Sequence, residues 1–187
     1  MGLAAGRLLR NAFGSLGVAA VVGTMALGLP ALDRAVAADR PVANDVPFQI
    51  GGGITVVPPR DAVLDVTGTR PRADRGTVLF RLGPVRYALI VTPYPDDLSG
   101  AVRRLRGRLC GTGRCHTSDA AVLRLDGGPT GRAGTIEAPD PFAGRYAVFF
   151  VADRIVEVVV TGPNDALSAR LPAVRDSLVT LRPAAGR

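Results

Sequence analysis

The chain lacks lysine and tryptophan, and it has one histidine, two cysteines and two glutamates. With aromatic residues at 5%, few rings are present to stack on bases or sugars. All 23 basic residues are arginine, which the codon bias of a GC-rich genome explains most simply; the alternative is a guanidinium surface for phosphates or carboxylates. The net charge of +7 comes from scattered residues, so the sequence predicts no nucleic-acid binding.

The scarcity of histidine and glutamate limits the possible catalytic sites. A Ser-His-Asp or Cys-His site would have to use His116, which directly follows Cys115. A glycosidase-like carboxylate pair would have to use Glu137 and Glu157, which lie on different predicted strands. More simply, Glu157 is a polar residue on an exposed strand face or pairs with Arg145 across a hairpin. We therefore predict no catalytic residue, and we keep an envelope hydrolase that uses His116 or the two glutamates as an alternative.

Both cysteines fall in the segment 110–115, whose two glycines let the backbone turn tightly. In an exported chain, this spacing predicts a disulfide between Cys110 and Cys115. A metal site with His116 as a third ligand is the alternative, but it needs a fourth ligand, and a redox site would need Cys-x-x-Cys. We therefore predict neither a metal nor a cofactor. Because the closed ring is small, we expect it to add at most about 2 kcal/mol of stability.

The first 38 residues have the layout of a secretory signal peptide. Arg7 and Arg10 precede the nearly uncharged stretch 13–32, and the small-residue run 35–38 ends in an Ala-x-Ala exit. Pro30 favours cleavage after this run, whereas the length of the stretch also fits an uncleaved membrane anchor. In both cases we expect an exported domain, secreted or attached to the outer face of the cytoplasmic membrane.

Residues 39–187 are long enough for a single globular domain, and nothing in the sequence divides them. Removing residues 1–38 takes away three arginines and one aspartate, which leaves a net charge of +5. We expect a domain of this charge to favour anionic envelope surfaces only slightly.

Two amphipathic helices are predicted in this domain. The first is capped by Asp96 or Asp97, and the second follows Asn164. Their apolar side chains recur at helical spacing. The first stripe is Leu98, Val102, Leu105 and Leu109, and the second is Leu167, Leu171, Val174, Leu178 and Leu181. Pro172 lies inside the second stripe, so we expect a kink or a break there.

Strands are predicted from β-branched and aromatic residues bounded by glycine and proline. The strongest hairpin joins 145–151 to 155–161, whose nearly continuous Val, Phe and Tyr content is typical of central strands covered on both faces. The segments 46–50 and 54–57 are predicted as two short strands or as one strand with a glycine bend. The other predicted strands are 62–67, 77–82, 85–91, 120–125 and 132–138. The order of elements indicates an α+β fold, in which two main helices pack on an antiparallel sheet after an N-terminal signal or anchor helix.

Three short sequence phrases accompany this order of elements: Pro-Tyr-Pro-Asp-Asp at 93–97, Gly-Arg-Ala at 131–133 and Val-Thr-Gly-Pro-Asn at 160–164. Together, the order and the phrases resemble the PsbP-like exported proteins and lipoproteins of high-GC Gram-positive bacteria. The resemblance covers residues 46–183 and includes no catalytic motif. It implies an α/β/α sandwich and a non-enzymatic, partner-binding role in the cell envelope, and it carries no site residues.

Five arginines at the first helix and just after it form a candidate interaction surface. They are Arg103, Arg104, Arg106, Arg108 and Arg114. Because they fall away from the leucine stripe, we expect them to project into solvent. As a site, they would bind anionic lipid head groups or an acidic envelope protein in a salt-sensitive way. The alternative is an ordinary solvated helix face.

The sequence thus predicts an exported, non-catalytic domain that binds a partner in the cell envelope. The hydrolase alternative requires a deep pocket that holds His116 or Glu137 with a second polar group. A third hypothesis, a carrier of a small apolar ligand, would be supported by an enclosed cavity of several hundred cubic ångströms between the sheet and the last helix. Solid packing at that place would dismiss the carrier.

Overall fold

The computed structural model describes residues 39–93, 97–111, 113, 115–139 and 141–184. The predicted leader 1–38 and Arg114 lie outside the described residues. Of the two candidate helix caps, Asp96 also lies outside them. The first helix is capped by Asp97, whose Oδ1 accepts a hydrogen bond from the backbone N–H of Gly100 at 2.6 Å.

A ten-stranded antiparallel sheet forms the centre of the domain. The strands, in chain order, are β1 (Asp39–Pro41), β2 (Phe48–Gly51), β3 (Ile54–Val56), β4 (Val63–Asp65), β5 (Arg70–Pro71), β6 (Gly76–Leu82), β7 (Val85–Pro93), β8 (His116–Thr117), β9 (Ala121–Arg124), β10 (Thr130–Glu137), β11 (Phe142–Val151), β12 (Arg154–Pro163) and β13 (Arg182–Pro183). The helices are α1 (Leu98–Cys110) and α2 (Asn164–Val179). The main sheet has the order β1-β4-β6-β7-β12-β11-β10-β8, with β5 on β6 and β9 on β10, while β13, β3 and β2 form a smaller sheet.

The predicted hairpin β11–β12 lies in the middle of the main sheet and is covered on both faces. Side chains alternate along β12, because successive residues of a strand point to opposite faces. Val156 and Val158 belong to the apolar cluster that includes α2, whereas Ile155 belongs to the cluster that includes α1. The nearly continuous apolar sequence of these strands therefore reflects burial on both sides, as predicted.

The two helices pack on opposite faces of the sheet. Val102 and Leu105 of α1 contact the cluster on one face, and Leu167 and Val174 of α2 contact the cluster on the other. The structure thus confirms the α+β prediction of an antiparallel sheet with two helices packed on it. Within the described residues, neither helix has the length and apolarity to cross a bilayer.

Of the two outcomes predicted at Pro172, a kink or a break, the break is wrong, because α2 is one continuous helix from Asn164 to Val179. A proline removes one backbone N–H, which leaves the carbonyl of the residue four positions earlier without its helical donor. That residue is Ser168, and both Ser168 and Pro172 are exposed. Water can reach this carbonyl, so the helix continues past the proline.

The smaller sheet was only partly predicted, since strands β2 and β3 were expected but β13 was not. It packs tightly against the start of β6 at two glycines. A Cβ atom on Gly76 would lie 1.9 Å from the carbonyl oxygen of Ile50, and Gly51 has a φ of 101°. Only glycine fits such a close backbone approach, and only glycine adopts that φ without strain.

Candidate functional site

A cleft of about 620 Å³ lies between α2 and the half of the sheet formed by β9 to β12. Its lining is mostly apolar: Leu123, Ala133, Ala147, Val158 and Leu171 are typical. The cleft is open to solvent rather than enclosed. Its volume is in the range of small-molecule binding pockets, about 300–1,000 Å³. The position and the volume of the cleft agree with the carrier hypothesis, but the cavity is not enclosed as that hypothesis expected.

The cleft exists because two small residues face each other beneath the helix. Ala133 on β10 is directly opposite Ala147 on β11, and Ala147 is directly opposite Val158 on β12. All three therefore share the face of the sheet that α2 covers. Because Ala133 and Ala147 each have only a methyl side chain, a space remains between the sheet and α2. Leu171 and Val174 of the helix line this space but do not fill it.

Two arginines and one serine supply the polar side chains at the margin of the cleft. Arg145 comes from β11, whereas Ser168 and Arg175 come from α2, and all three are exposed. Arg145 donates a hydrogen bond from Nη1 to the carbonyl oxygen of Gly144 at 3.1 Å. Among the described residues, neither guanidinium has an ion-pair partner within 4.0 Å.

Acidic residues lie beside the cleft but do not line it. Glu137 shares a neighbouring hollow with Arg145 and Asn164, while Asp126 and Asp176 share another with Arg175. The lining of the cleft itself contains no aspartate or glutamate. An occupant would therefore meet an apolar floor with positive charge at the margin.

Two of the arginines predicted to form a solvent-facing surface on α1, Arg106 and Arg108, reach back to the sheet. Arg106 folds back onto β8, donating from Nε to Thr117 Oγ1 at 3.0 Å and from Nη2 to the Thr117 carbonyl oxygen at 3.2 Å. Arg106 also pairs with Asp119 at 2.9 Å. Arg108 forms an ion pair with Glu157, which is only 4% exposed. Both side chains therefore fasten α1 to the sheet.

Of the other three predicted surface arginines, Arg103 and Arg104 are exposed on α1, and Arg114 lies outside the described residues. The leucine stripe predicts which side of α1 is buried, but it does not show that long arginine side chains reach back from the flanks. Their aliphatic stems allow this reach while the charged groups find partners at the rim of the interface.

The prediction that Glu157 lies on an exposed strand face or pairs with Arg145 was wrong. Glu157 is buried, and its ion-pair partner is Arg108. In the hairpin register, Glu157 is opposite Val148, and Arg145 is opposite Val160. Glutamates rarely lie buried without a partner, and the guanidinium of Arg108 supplies one from the facing helix.

The two glutamates are too far apart for a glycosidase pair. Glu137 aligns with Ala143, which aligns with Gly162 on β12, and Glu157 lies five positions from Gly162 along that strand. Five strand residues span roughly 16 Å, whereas paired catalytic carboxylates lie about 5–9.5 Å apart.

His116 does not share a pocket with a nucleophile or a second catalytic group among the described residues either. It is exposed on the edge strand β8, directly opposite Glu137 on β10, which is exposed as well. The hollow that contains Glu137 is shallow and is lined also by Arg145 and Asn164, but not by His116. The deep pocket that the hydrolase alternative requires is thus not formed around these residues.

Cys110 and Cys115 lie at disulfide distance, with their Cα atoms 5.2 Å apart. The bond joins Cys110, the last residue of α1, to Cys115, which directly precedes β8. It therefore holds the end of the helix next to the edge of the sheet. With both sulfurs bonded to each other, neither is a thiolate ligand for the metal site that was the alternative.

Tyr146, one of the lining residues, fixes the sheet behind the cleft. Its hydroxyl donates to the carbonyl oxygen of Ser118 at 2.7 Å. Burial raises the pKa of Tyr146, which favours the protonated hydroxyl that donates this bond. The tyrosine therefore ties β11 to the segment between β8 and β9.

Sequence reasoning did not identify Arg145, Ser168 or Arg175 as margin residues. The available signal was the period-2 alternation of β11, which puts Arg145 and Ala147 on one face. This alternation alone does not show that α2 leaves the face uncovered, because that depends on how the helix sits.

No family model matches the chain, and no curated protein matches it. Among solved structures, the solution structure of cyanobacterial PsbP (CyanoP) from Synechocystis sp. PCC 6803 is similar, with a TM-score of 0.48 and 12% sequence identity. The match covers 75% of this chain and 96% of that chain. The similarity concerns the course of the backbone, and it transfers no residue role to this chain.

Proposed function

We propose that this chain is an exported, non-catalytic domain that binds a small apolar ligand in the cleft between α2 and the sheet. The observation that carries the proposal is the cleft itself, with its volume of about 620 Å³ and its apolar floor. Burying the hydrocarbon part of a ligand there would release water from apolar surface on both partners, which is the main favourable term in such binding.

The rest of the domain supports binding rather than catalysis. Glu157 is held by Arg108, and Cys110 is held by Cys115. His116 and Glu137 lie on an exposed edge of the sheet and away from the cleft lining. A catalytic site combines a nucleophile with an acid or a base in one pocket. Among the described residues, the lining of this cleft does not contain such a combination.

Export is the second part of the proposal. Its support is the signal-like sequence of residues 1–38 together with the cysteine pair, because disulfides persist mainly in oxidising compartments. N-terminal sequencing of protein from the culture medium and the membrane fraction tests it. A start near residue 39 in the medium, or an intact start in the membrane, agrees with export; protein found only in the cytosol with free thiols contradicts it.

Binding is tested by calorimetric titration of the purified chain with octanoate, decanoate and dodecanoate, each kept below its micelle concentration. We expect the affinity to rise along this series, because each buried methylene contributes up to about 0.8 kcal/mol. Affinity that does not depend on chain length, or no binding of any of the three, would contradict an apolar site.

Filling the floor of the cleft should prevent this binding. We predict that Ala147→Phe weakens dodecanoate binding at least tenfold, because the ring would occupy the space beneath α2. Ala169→Phe is the matched control, since Ala169 is exposed on α2 and does not line the cleft. Circular dichroism checks that both variants fold.

If Ala147→Phe fails to fold, Ser168→Trp provides the same test. Ser168 is exposed at the margin, so the larger ring narrows the entrance without entering the core. Dodecanoate affinity equal to that of the wild type in a folded variant of either kind would place the binding site elsewhere.

A further inference from the structure

We infer that the ligand of the cleft is a single-chain amphiphile with an anionic head group, which lies at Arg145 and Ser168 while the chain lies over Ala147 and Ala133. This inference rests on the proposed function, since it names the ligand class and the orientation of the ligand in the same cleft.

The charges of the lining point to an anion. The lining contains two guanidinium groups and no carboxylate, and neither guanidinium has an ion-pair partner among the described residues. The two guanidinium groups would repel a cationic head group. A neutral head group would leave their charges solvated by water alone. An anionic head group accepts charge-assisted hydrogen bonds from arginine, which are stronger than bonds between neutral groups.

The positions of the apolar and the charged lining residues orient the ligand. Ala133, Ala147 and Val158 line the floor, which therefore offers hydrocarbon and no polar side chain. Arg145 projects from the same strand and the same face as Ala147, two residues away. Residues two positions apart on a strand lie about 7 Å apart. The head group of an amphiphile can therefore contact Arg145 while its alkyl chain contacts Ala147.

Ser168 lies at the same end of the cleft as Arg145. Asn164, at the start of α2, lines one hollow together with Arg145, and Ser168 lies one helical turn further along. The serine hydroxyl can donate a hydrogen bond to the same anion. Arg175 lies about 10 Å further along the helix, where Asp126 and Asp176 share a hollow with it. Two carboxylates thus share a hollow with Arg175, whereas one, that of Glu137, shares a hollow with Arg145. The positive potential is therefore higher at Arg145, and we assign the head group there.

The test compares three probes of equal chain length, dodecanoate, dodecanol and dodecyltrimethylammonium, by titration of the purified full chain. For the wild type we expect the anion to bind about tenfold more tightly than the alcohol, and the cation to bind more weakly than both. Arg145→Gln should abolish this preference while dodecanol binding stays the same, and Arg145→Lys should restore part of it.

Two controls remove the same charge elsewhere. Arg175→Gln changes the other arginine of the cleft, and Arg103→Gln changes an exposed arginine on α1, which packs on the opposite face of the sheet. We expect each to lower the preference less than threefold. If Arg175→Gln lowers the preference for the anion more than this, the assigned orientation is wrong. If Arg103→Gln lowers the preference as much as Arg145→Gln does, the preference comes from the net charge of the protein and not from the cleft.

The outcomes separate this inference from the proposed function. If the three probes bind equally, the cleft binds apolar chains and the anionic head group is wrong. If none of them binds, the proposed function fails, and the inference fails with it.

Discussion

Glu157 is a charged residue in a strand that is otherwise apolar, and it is only 4% exposed. Its carboxylate is accommodated because Arg108 reaches it from α1 and forms an ion pair. The arginine side chain is about half exposed, so water still reaches one side of the pair. The pair therefore fixes where α1 lies on the sheet and leaves the carboxylate with a charged donor.

Removing Arg108 should leave a buried carboxylate without its partner. We predict that Arg108→Met lowers the free energy of unfolding by about 2 kcal/mol, less than for a fully buried pair because water can partly replace the guanidinium. Arg103→Met, on the same helix but exposed, should change it by less than about 0.5 kcal/mol. Urea unfolding measures both values.

The double variant Arg108→Met with Glu157→Met separates the pair from its surroundings. It should be more stable than Arg108→Met alone, because the buried charge is gone. Equal stability of the single variants Arg108→Met and Arg103→Met would show that the pair has no structural role.

At the scale of elements, α2 shows how position decides the effect of a proline. Pro172 lies on the exposed side of the helix, and so does Ser168, whose carbonyl loses its helical donor. The apolar contacts of Leu167, Val174 and Leu178 on the other side hold the helix to the sheet across this point. Packing therefore outweighs the local penalty that the sequence alone suggests.

Replacing the proline should stabilise α2. We predict that Pro172→Ala raises the free energy of unfolding by about 1 kcal/mol, since the backbone N–H restores the missing bond and alanine has a higher helix propensity. Ala169→Pro, at an exposed interior position of the same helix, should lower it by about 3 kcal/mol. Thermal unfolding of the two variants checks the opposite signs, and a loss of stability with Pro172→Ala would contradict the account.

The elements that sequence reasoning identified are those with a local signal. The hairpin β11–β12 was predicted because its valines are nearly continuous, and α1 because Asp97 precedes a regular apolar stripe. Strand β13 was missed because it has two residues, and it forms only by pairing with β3, far away in the chain. Contacts between distant segments leave no periodic pattern in the sequence.

The candidate site was predictable in place but not in detail. A cleft beneath the last helix was one of three hypotheses, since an amphipathic helix on a sheet can leave a gap. The two alanines that create the gap are ordinary strand residues until the register puts Ala133 opposite Ala147. The register of the β11–β12 hairpin also excludes the expected pairing of Arg145 with Glu157. Its two-residue turn puts Arg145 opposite Val160 and Glu157 opposite Val148.

For the whole molecule, the two faces of the sheet differ in how completely their helices cover them. Helix α1 is fastened by Arg106 and Arg108, and its apolar side chains pack with Tyr146 and Ile136. Helix α2 covers the central strands but leaves the floor near β10 and β11 open. The face that α2 covers therefore has space for a ligand.

A crystal structure of the protein grown with dodecanoate would show whether an amphiphile occupies this space. We expect the alkyl chain to lie over Ala133 and Ala147 beneath α2, with the carboxylate within hydrogen-bond distance of Arg145. An empty cleft at saturating dodecanoate, or a chain bound at another surface, would contradict it.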